Sequence, residues 1–341
     1  MRLQIPGAAA LILALGGFAA SPAIAADAPP AGSAFVDSHV HIDEEDPATA
    51  VALLANSMDP LHETHVVVQT LPYGPGNPHI WDMEKIQAEI RKHPGRLAMT
   101  GGGGTLNPML VEAYAKGDSG PGAQQRLRAR AEQILRQGAV GFGELSNEHF
   151  STPGGSVSDY EYYPADSPLM LLLADIAAAH RAPIVLHMEA VPQDMDSGLP
   201  PPNAPRLHAN FQALENLLAH NRRTRIIWAH AGSDNTGFRT PDRMRPLLLA
   251  NPNLFMELKV DPRAPGRTYP LADGKLKPEW LALISDFPDR FIIGSDQHYD
   301  AASMATLTRT RTEMSLLSQL PPKVRQQVAV DNPVRLYNLG R

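Results

Sequence analysis

The 341-residue sequence contains no cysteine. Without thiols the chain can form neither a disulfide nor a thiolate metal site, so any metal ion must be held by histidine and carboxylate side chains. Positive charge is also in deficit, because 30 Lys and Arg residues stand against 36 Asp and Glu residues, which gives a formal net charge of -6. This balance argues against a nucleic-acid-binding surface, and we expect no nucleic-acid partner.

The sequence also lacks an apolar run long enough for a comfortable transmembrane helix. Its N-terminal apolar stretch, residues 8–20, follows Arg2 and precedes the small residues Ala23-Ile24-Ala25-Ala26. A positive start, a short apolar run and an A-x-A pattern are features of a cleavable signal peptide. We therefore expect residues 1–25 to be a signal peptide and residues 26–34 a flexible lead-in. The mature protein would be periplasmic or secreted, without stable membrane insertion; an uncleaved anchor is the alternative.

The remaining chain, residues 35–341, is predicted to be one α/β domain. With 43% hydrophobic residues it can bury a sizeable core. Eight runs read as strands: Phe35–His39, His65–Thr70, Leu97–Gly101, Ala139–Glu144, Pro183–His187, Arg225–His230, Asn253–Leu258 and Arg290–Ser295. Several are continuously apolar, which is typical of parallel strands buried on both faces. Eight βα units in about 300 residues predict a TIM-type (β/α)8 barrel.

Helical patterns lie between these strands. The predicted helices are Trp81–His93, Gln124–Gln137, Leu169–His180, Leu207–His220, Asp242–Ala250 and Pro278–Phe287. Ser167 and Thr240 each precede a proline, and they are predicted to cap the helices that follow. Long connections follow strands at Leu145–Asp166, Met188–Arg206 and Lys259–Lys277. They would therefore lie on the C-terminal face, where barrel enzymes have their active sites.

Titratable side chains end five of the predicted strands. His39 and His41 are two residues apart on the first strand, so both point to one face. The later strand ends are Glu144, His187, His230 and Asp296. In a parallel barrel these ends lie on one rim, where they would surround a divalent metal ion. Imidazole and carboxylate ligands suit zinc, although Mn, Fe or Co would also be accepted.

Several motifs resemble the amidohydrolase superfamily over nearly the whole mature chain. His39-Val40-His41 is similar to the first-strand motif of that superfamily, and His187, His230 and Asp296 stand at positions similar to its later ligands. Trp228-Ala229-His230-Ala231-Gly232, Ile293-Gly294-Ser295-Asp296 and Asp331–Tyr337 resemble the amidohydrolase-2 branch, which includes decarboxylases and lactone hydrolases. The resemblance implies a metal-dependent enzyme.

The number of metal ions stays open. Glu144 stands where many binuclear members have a carboxylated lysine and TatD-like hydrolases have Glu, whereas amidohydrolase-2 members often bind one ion. With two ions, His39, His41 and Asp296 would hold the first, His187 and His230 the second, and Glu144 would bridge them. With one ion, the resemblance implies ligation by His39, His41, His187 and Asp296, which leaves His230 to orient water or stabilise negative charge.

Three further residues are candidates for substrate binding. Lys259 follows the seventh strand and could meet an anionic group, although a solvated lysine is the alternative. His298 and Tyr299 follow Asp296 closely and are expected to line the pocket. The run Gly101-Gly102-Gly103-Gly104 lacks the pattern of a phosphate-binding loop and is interpreted as a tight backbone passage above the third strand.

The leading functional hypothesis is an exported hydrolase of a small-molecule ester, lactone or amide. Metal-activated water would be the nucleophile, with Asp296 as general base and His230 as a second catalytic residue. The alternatives are a metal-dependent decarboxylase of the amidohydrolase-2 type and a non-catalytic metal-binding barrel. The sequence does not indicate the substrate, the metal or the oligomeric state.

Overall fold

The computed structural model describes residues 34–42, 45–150, 160–261, 266–300 and 307–340. The predicted signal peptide, and the lead-in up to residue 33, lie outside the described residues. Within the described part of the chain, no helix combines the length and the apolar character needed to cross a membrane.

Eight strands in chain order form the barrel, and two of them are divided into consecutive segments. Their bounds are β1 Phe35–Ile42, β2 Glu63–Val68, β3 Leu97–Met99 with β4 Gly101–Gly102, β5 Phe142–His149, β7 Pro183–Met188, β10 Arg225–Ala231, β11 Leu254–Leu258, and β14 Phe291–Ile293 with β15 Gln297–Tyr299. The remaining short strands are β6 Glu161–Tyr162, β8 Met195–Asp196, β9 Arg206–Leu207, β12 Leu271–Ala272 and β13 Lys275–Leu276.

The barrel strands pair in parallel as two sheets, in the orders β15-β1-β2-β3 and β14-β11-β10-β7-β5-β4. The third and eighth strands contribute one segment to each sheet, so neighbouring strands follow chain order around a ring. Backbone hydrogen bonds continue across both divisions: Val140 N donates to Met99 O at 2.9 Å, and Asp296 N donates to His39 O at 2.8 Å. The predicted TIM-type barrel is confirmed.

Helices follow the strands as the alternating pattern predicts. They are α1 Pro47–Leu61, α2 Gln87–Ile90, α3 Leu106–Lys116, α4 Pro121–Arg136, α5 Pro168–His180, α6 Phe211–His220, α7 Pro241–Ala250, α8 Pro278–Asp286, α9 Thr308–Ser318, α10 Pro322–Gln326 and α11 Asn332–Tyr337. A 3-10 turn covers Met83–Lys85 and a π-helical turn covers Gln327–Asp331. Five predicted helices correspond to α4 through α8, although Leu207, the predicted start of one of them, lies in β9 and α6 begins at Phe211.

Two details of the helix prediction were wrong. Trp81–His93 is not one helix but a 3-10 turn followed by α2. The Asp82 carboxylate accepts hydrogen bonds from Met83 N, which caps the 3-10 turn, and from Gly102 N, which connects this segment to the glycine run. Ser167 and Thr240 do occupy the residue before α5 and α7, but neither side chain makes a capping hydrogen bond.

The barrel interior has an apolar half and a polar half. Side chains in the N-terminal half of the strands pack around Leu336 and Tyr337 of α11; they include Val67, Val185, Ile227, Phe255 and Ile292. The C-terminal helix therefore fills one end of the barrel, and the Tyr337 hydroxyl lies 3.4 Å from Gln69 Nε2 at the start of the polar layer. The titratable residues of the candidate site lie towards the other end, where the strands finish.

The glycine run is confirmed as a tight backbone passage. A Cβ atom on Gly103 would lie 2.3 Å from Leu71 O, and one on Gly104 would lie 1.6 Å from Trp81 O. Atoms cannot approach this closely, so both positions require glycine because neighbouring loop backbone occupies the space.

We predict that Gly104→Ala destabilises the protein by about 1–3 kcal/mol or more, because its Cβ would overlap a backbone carbonyl that cannot rotate away. Gly122→Ala is the matched control: Gly122 lies in α4, and a Cβ there would lie 3.4 Å from the movable tip of Arg126. The urea midpoint should fall for Gly104→Ala and stay level or rise for Gly122→Ala. Equal midpoints would contradict the steric argument.

Candidate metal centre

The structure brings all the predicted ligand residues together at the carboxyl ends of the barrel strands. Two groups of three have ligand atoms within 4.8 Å of one another: His39 with Glu144 and His230, and His39 with His41 and Asp296. His187 joins through Glu144, since its Nδ1 lies 2.8 Å from Glu144 Oε1. Residues from strands far apart in sequence therefore surround one buried volume, as the strand-end pattern predicts.

Glu144 lies between two pairs of imidazoles. Its Oε1 is 2.8 Å from both His187 Nδ1 and His230 Nε2. Its Oε2 is 3.5 Å from both His39 Nε2 and His41 Nε2. Each oxygen thus faces a different histidine pair, which is the arrangement expected of a carboxylate that bridges two cations.

The first-strand histidines provide a physical test of the metal interpretation. His39 Nδ1 lies 2.7 Å from Glu257 Oε1, and His41 Nδ1 lies 3.1 Å from Gln69 O. Because both Nδ1 atoms face acceptors, each Nδ1 is assigned a proton, and the two Nε2 atoms face each other at 3.2 Å. Two unprotonated Nε2 lone pairs repel at this distance, so the contact requires either a proton on one of them or a metal cation beside both. A divalent cation would be held there by both Nε2 atoms and by Asp296 Oδ1, which lies 3.1 Å from His41 Nε2.

Two residues of this site have a backbone conformation that is unusual for non-glycine residues. His230 has φ of 65° and Asp296 has φ of 54°, both in the left-handed region. Each carbonyl is held by an arginine: Arg239 donates to His230 O, and Arg309 donates to Asp296 O. Arg239 is 2% exposed, and its guanidinium stacks 4.8 Å from the Trp228 ring centroid. Such backbone strain is characteristic of functional sites and needs support from neighbouring residues.

Two cations accompany the Asp296 carboxylate. Lys259 Nζ lies 2.5 Å from Asp296 Oδ2, and Arg309 Nη1 lies 3.0 Å from the same oxygen. Burial raises the pKa of Asp296, but Lys259 and then Arg309 outweigh it and hold that pKa well below the usual range. Burial, followed by the charge of Lys259, also lowers the pKa of His230 well below its ordinary value. The Lys259 side chain, 12% exposed, therefore faces the site.

The imidazoles near the carboxylates are shifted in the opposite direction. Burial lowers the pKa of His39, but the charges of Glu257 and Glu144 outweigh it and raise the pKa well above the usual value. Burial likewise lowers the pKa of His187, yet Glu144 raises it to about 9. The carboxylates that stabilise the protonated imidazoles would also attract a metal cation to this volume.

Two outer histidine rings extend the cluster on opposite sides. The His298 ring centroid lies 4.8 Å from that of His41, and the His149 centroid lies 4.7 Å from that of His187. Burial, followed by His187, lowers the pKa of His149 to about 4. Burial, followed by His41, lowers the pKa of His298 to about 3. Both outer rings are therefore neutral near pH 7, and His298 lies beside the cluster as the sequence predicts.

Tyr299 is a correction to the predicted site. In the pairing of β15 with β1, His298 stands opposite His41 and Tyr299 opposite Ile42. Because side chains alternate along a strand, Tyr299 points to the other face. It is fully buried, with its hydroxyl 3.2 Å from Ser57 Oγ of α1. The structure thus places Tyr299 between the barrel and α1, away from the candidate metal centre.

Sequence reasoning missed three residues that contact the cluster. Glu257 ends an apolar run on β11, so the strand-end argument that found Glu144 would also have found it. Glu189 lies two residues after His187, and its Oε1 is 3.6 Å from His187 Nε2. Arg309 comes from α9, beyond the eighth strand, and no strand-end pattern indicates it.

A buried histidine and carboxylate centre at the C-terminal end of a parallel barrel defines a class of metal-dependent enzymes. The family model described as Amidohydrolase, the amidohydrolase-2 family, matches residues 27–339. The chain therefore belongs to this family, which confirms the resemblance drawn from its motifs. Among curated proteins none matches.

Solved structures share the fold at low sequence identity. A probable 2-pyrone-4,6-dicarboxylic acid hydrolase from Acinetobacter baumannii is 15% identical, with a TM-score of 0.51 over 89% of this chain and 99% of that chain. A protein from Pseudomonas putida that is described by the same hydrolase name is 14% identical, with a TM-score of 0.51. The match covers 90% of this chain and 98% of that chain. A protein from Agrobacterium tumefaciens is 16% identical, with a TM-score of 0.52, and the match covers 90% of this chain and 94% of that chain.

We predict that the purified protein binds about two equivalents of zinc and that Glu144→Gln binds about one or less, because an amide cannot bridge two cations as a carboxylate does. Metal content after dialysis checks this. Glu148→Gln is the matched control: Glu148 is also buried on β5, but its oxygens accept from Tyr160 and Asn210. One equivalent in both wild type and Glu144→Gln would refute the bridge.

Proposed function

We propose that this protein is an exported metal-dependent hydrolase that acts on an ester, lactone or amide bond of an anionic small molecule. The observation that carries the proposal is the placement of two cationic side chains beside a histidine and carboxylate centre. Lys259 and Arg309 both contact Asp296 Oδ2, the oxygen that does not face His41. A substrate anion near the metal centre would therefore meet two positive charges.

The proposed roles follow the contacts of each residue. His39, His41 and Asp296 would hold one ion, His187 and His230 a second, and Glu144 would bridge. A divalent ion, zinc by donor set, lowers the pKa of bound water and polarises a carbonyl oxygen. Asp296 would accept the proton of the attacking water and return it to the leaving group.

His230 and the cations would act on the substrate. If the site instead holds one ion, His230, whose Nδ1 has no hydrogen-bond partner among the described residues, would be free to orient the water or stabilise negative charge on the substrate oxygen. Lys259 and Arg309 would bind the substrate anion, and the neutral ring of His298 would line its pocket. Two structural relatives are designated as hydrolases of 2-pyrone-4,6-dicarboxylic acid, a lactone with two carboxylates, which is the kind of substrate this arrangement favours.

Decarboxylation is the second candidate reaction. The same two cations, Lys259 and Arg309, would hold the carboxylate of an aromatic acid beside the metal centre, and the family is compatible with either chemistry. A barrel that binds metal without turnover is a third candidate. The Asp296 carboxylate argues against it, because metal storage alone needs no general base.

We predict that zinc-loaded protein hydrolyses members of a panel of esters, lactones and amides, and that carboxylated members are preferred over their neutral analogues. Product analysis by mass spectrometry and carbon dioxide detection separates the candidates. Carbon dioxide release from carboxylated aromatics without hydrolysis would establish the decarboxylase instead. Inactivity across the panel and towards phosphoesters would favour the non-catalytic barrel.

Substitution of the cations provides the control for this preference. Lys259→Met should raise KM for carboxylated substrates by roughly 10-fold or more and leave neutral analogues much less affected, because one charge-assisted contact is lost. Lys277→Met is the matched variant: Lys277 lies at the far end of the same β11–α8 connection, after β13, and donates to the carbonyls of Gly266 and Tyr269. Equal losses for charged and neutral substrates would contradict an anion-binding role.

Export is proposed from the N-terminal sequence. We predict that the protein recovered from the periplasm or medium begins at Ala26, because Ala23-Ile24-Ala25 forms an A-x-A cleavage site. N-terminal sequencing or intact-mass measurement checks this, and Ala25→Arg should leave the uncleaved chain behind. A cell-associated protein that retains Met1 would contradict cleavage.

A further inference from the structure

Glu257 is a buried carboxylate that none of the proposed steps uses. It lies on β11 and is fully buried. Its Oε1 is 2.7 Å from His39 Nδ1, and its Oε2 has no hydrogen-bond partner among the described residues. A carboxylate with one hydrogen bond in so buried a position is costly for folding, so its retention calls for a role at the site.

The contact determines which nitrogen of His39 is available to a metal. With Glu257 as acceptor, Nδ1 carries the proton and Nε2 keeps its lone pair. His39 Nε2 is 3.2 Å from His41 Nε2, 3.5 Å from Glu144 Oε2 and 4.0 Å from Asp296 Oδ1. His39 belongs to both groups of candidate ligands, so its orientation matters to either ion.

The backbone of Gly294 packs closely against both members of this pair. A Cβ atom on Gly294 would lie 2.6 Å from both Glu257 Cδ and His39 Cβ. Gly294 N donates to Leu258 O at 3.0 Å, which anchors the glycine against the strand that carries Glu257. The eighth strand therefore packs against both the Glu257 carboxylate and the His39 side chain at Gly294.

The other cluster imidazoles are held differently. His41 Nδ1 faces the backbone carbonyl of Gln69 at 3.1 Å, and His187 Nε2 lies 3.6 Å from Glu189 Oε1. The distance from Glu257 Oε1 to His39 Nδ1 is the shortest of these three contacts. We therefore expect the removal of Glu257 to affect the orientation of its histidine more than the removal of either other acceptor.

We propose that Glu257 is a positioning residue of the metal centre, which holds His39 as the Nδ1-H tautomer with Nε2 directed at the metal. The proposal rests on the metal site of the proposed function. It is distinct from the reaction, because it concerns metal affinity and not turnover.

The test measures zinc affinity of the full protein by competition with a chromogenic chelator. Glu257→Leu should weaken zinc binding by roughly 10- to 100-fold, the loss typical when the outer partner of a metal-bound histidine is removed. Glu257→Gln keeps an acceptor oxygen and should lose less. Glu63→Leu is the matched control, because Glu63 is also buried, on β2, with both carboxylate oxygens lacking partners among the described residues.

A second variant perturbs the pair without removing any polar group. Gly294→Ala should also weaken zinc binding, since its Cβ would separate Glu257 from His39. If Glu257→Leu does not fold, the zinc affinities of Gly294→Ala and Glu257→Gln test the proposal. Near-wild-type affinity in every folded variant, or equal losses for Glu257→Leu and Glu63→Leu, would overturn the proposal. Failure of the wild-type protein to bind zinc would instead refute the metal site on which it rests.

Discussion

Glu144 is buried, and each of its carboxylate oxygens faces a different pair of imidazoles. Burial raises the pKa of this carboxyl, yet His39, His187 and His230 together hold it well below its usual range. Glu144 thus stays ionised at the centre of a crowded group of ring nitrogens. The surrounding strands keep these rings within reach of one carboxylate, and the outer nitrogens of His39 and His41 face Glu257 and the carbonyl of Gln69.

The barrel places its apolar core and the charged groups of the candidate site at opposite ends of the strands. Apolar side chains and Tyr337 of the C-terminal helix fill the N-terminal half, so charged groups gather where the strands finish. At that rim the chain leaves ordinary strand geometry at His230 and Asp296, and arginines hold both carbonyls. Lys259 and Arg309 then offset the charge of Asp296. The site is therefore a balance of opposite charges in a region with little solvent.

Most of the fold and of the candidate ligand cluster could be predicted because both depend on local patterns. Apolar runs, and the titratable residues that end them, are readable one strand at a time, which is why Glu144, His187, His230 and Asp296 were found. Tyr299 was misplaced because its direction depends on the pairing of β15 with β1, which no local pattern reveals. The prediction of a helix at Trp81–His93 was wrong for a similar reason. Gly102 N donates to the Asp82 carboxylate, and no local pattern reveals this contact between residues far apart in sequence.

The sequence by itself determined the barrel, the absence of thiolate ligands and the identity of the residues at the strand ends. Those properties follow from residue type and periodicity along the chain. Only the tertiary structure decided that Glu144 lies between two histidine pairs, that Glu257 supports His39, and that Lys259 and Arg309 meet at Asp296. The reason is physical: tautomer, charge balance and pocket shape depend on distances between side chains from different strands, and these distances exist only after the barrel has formed.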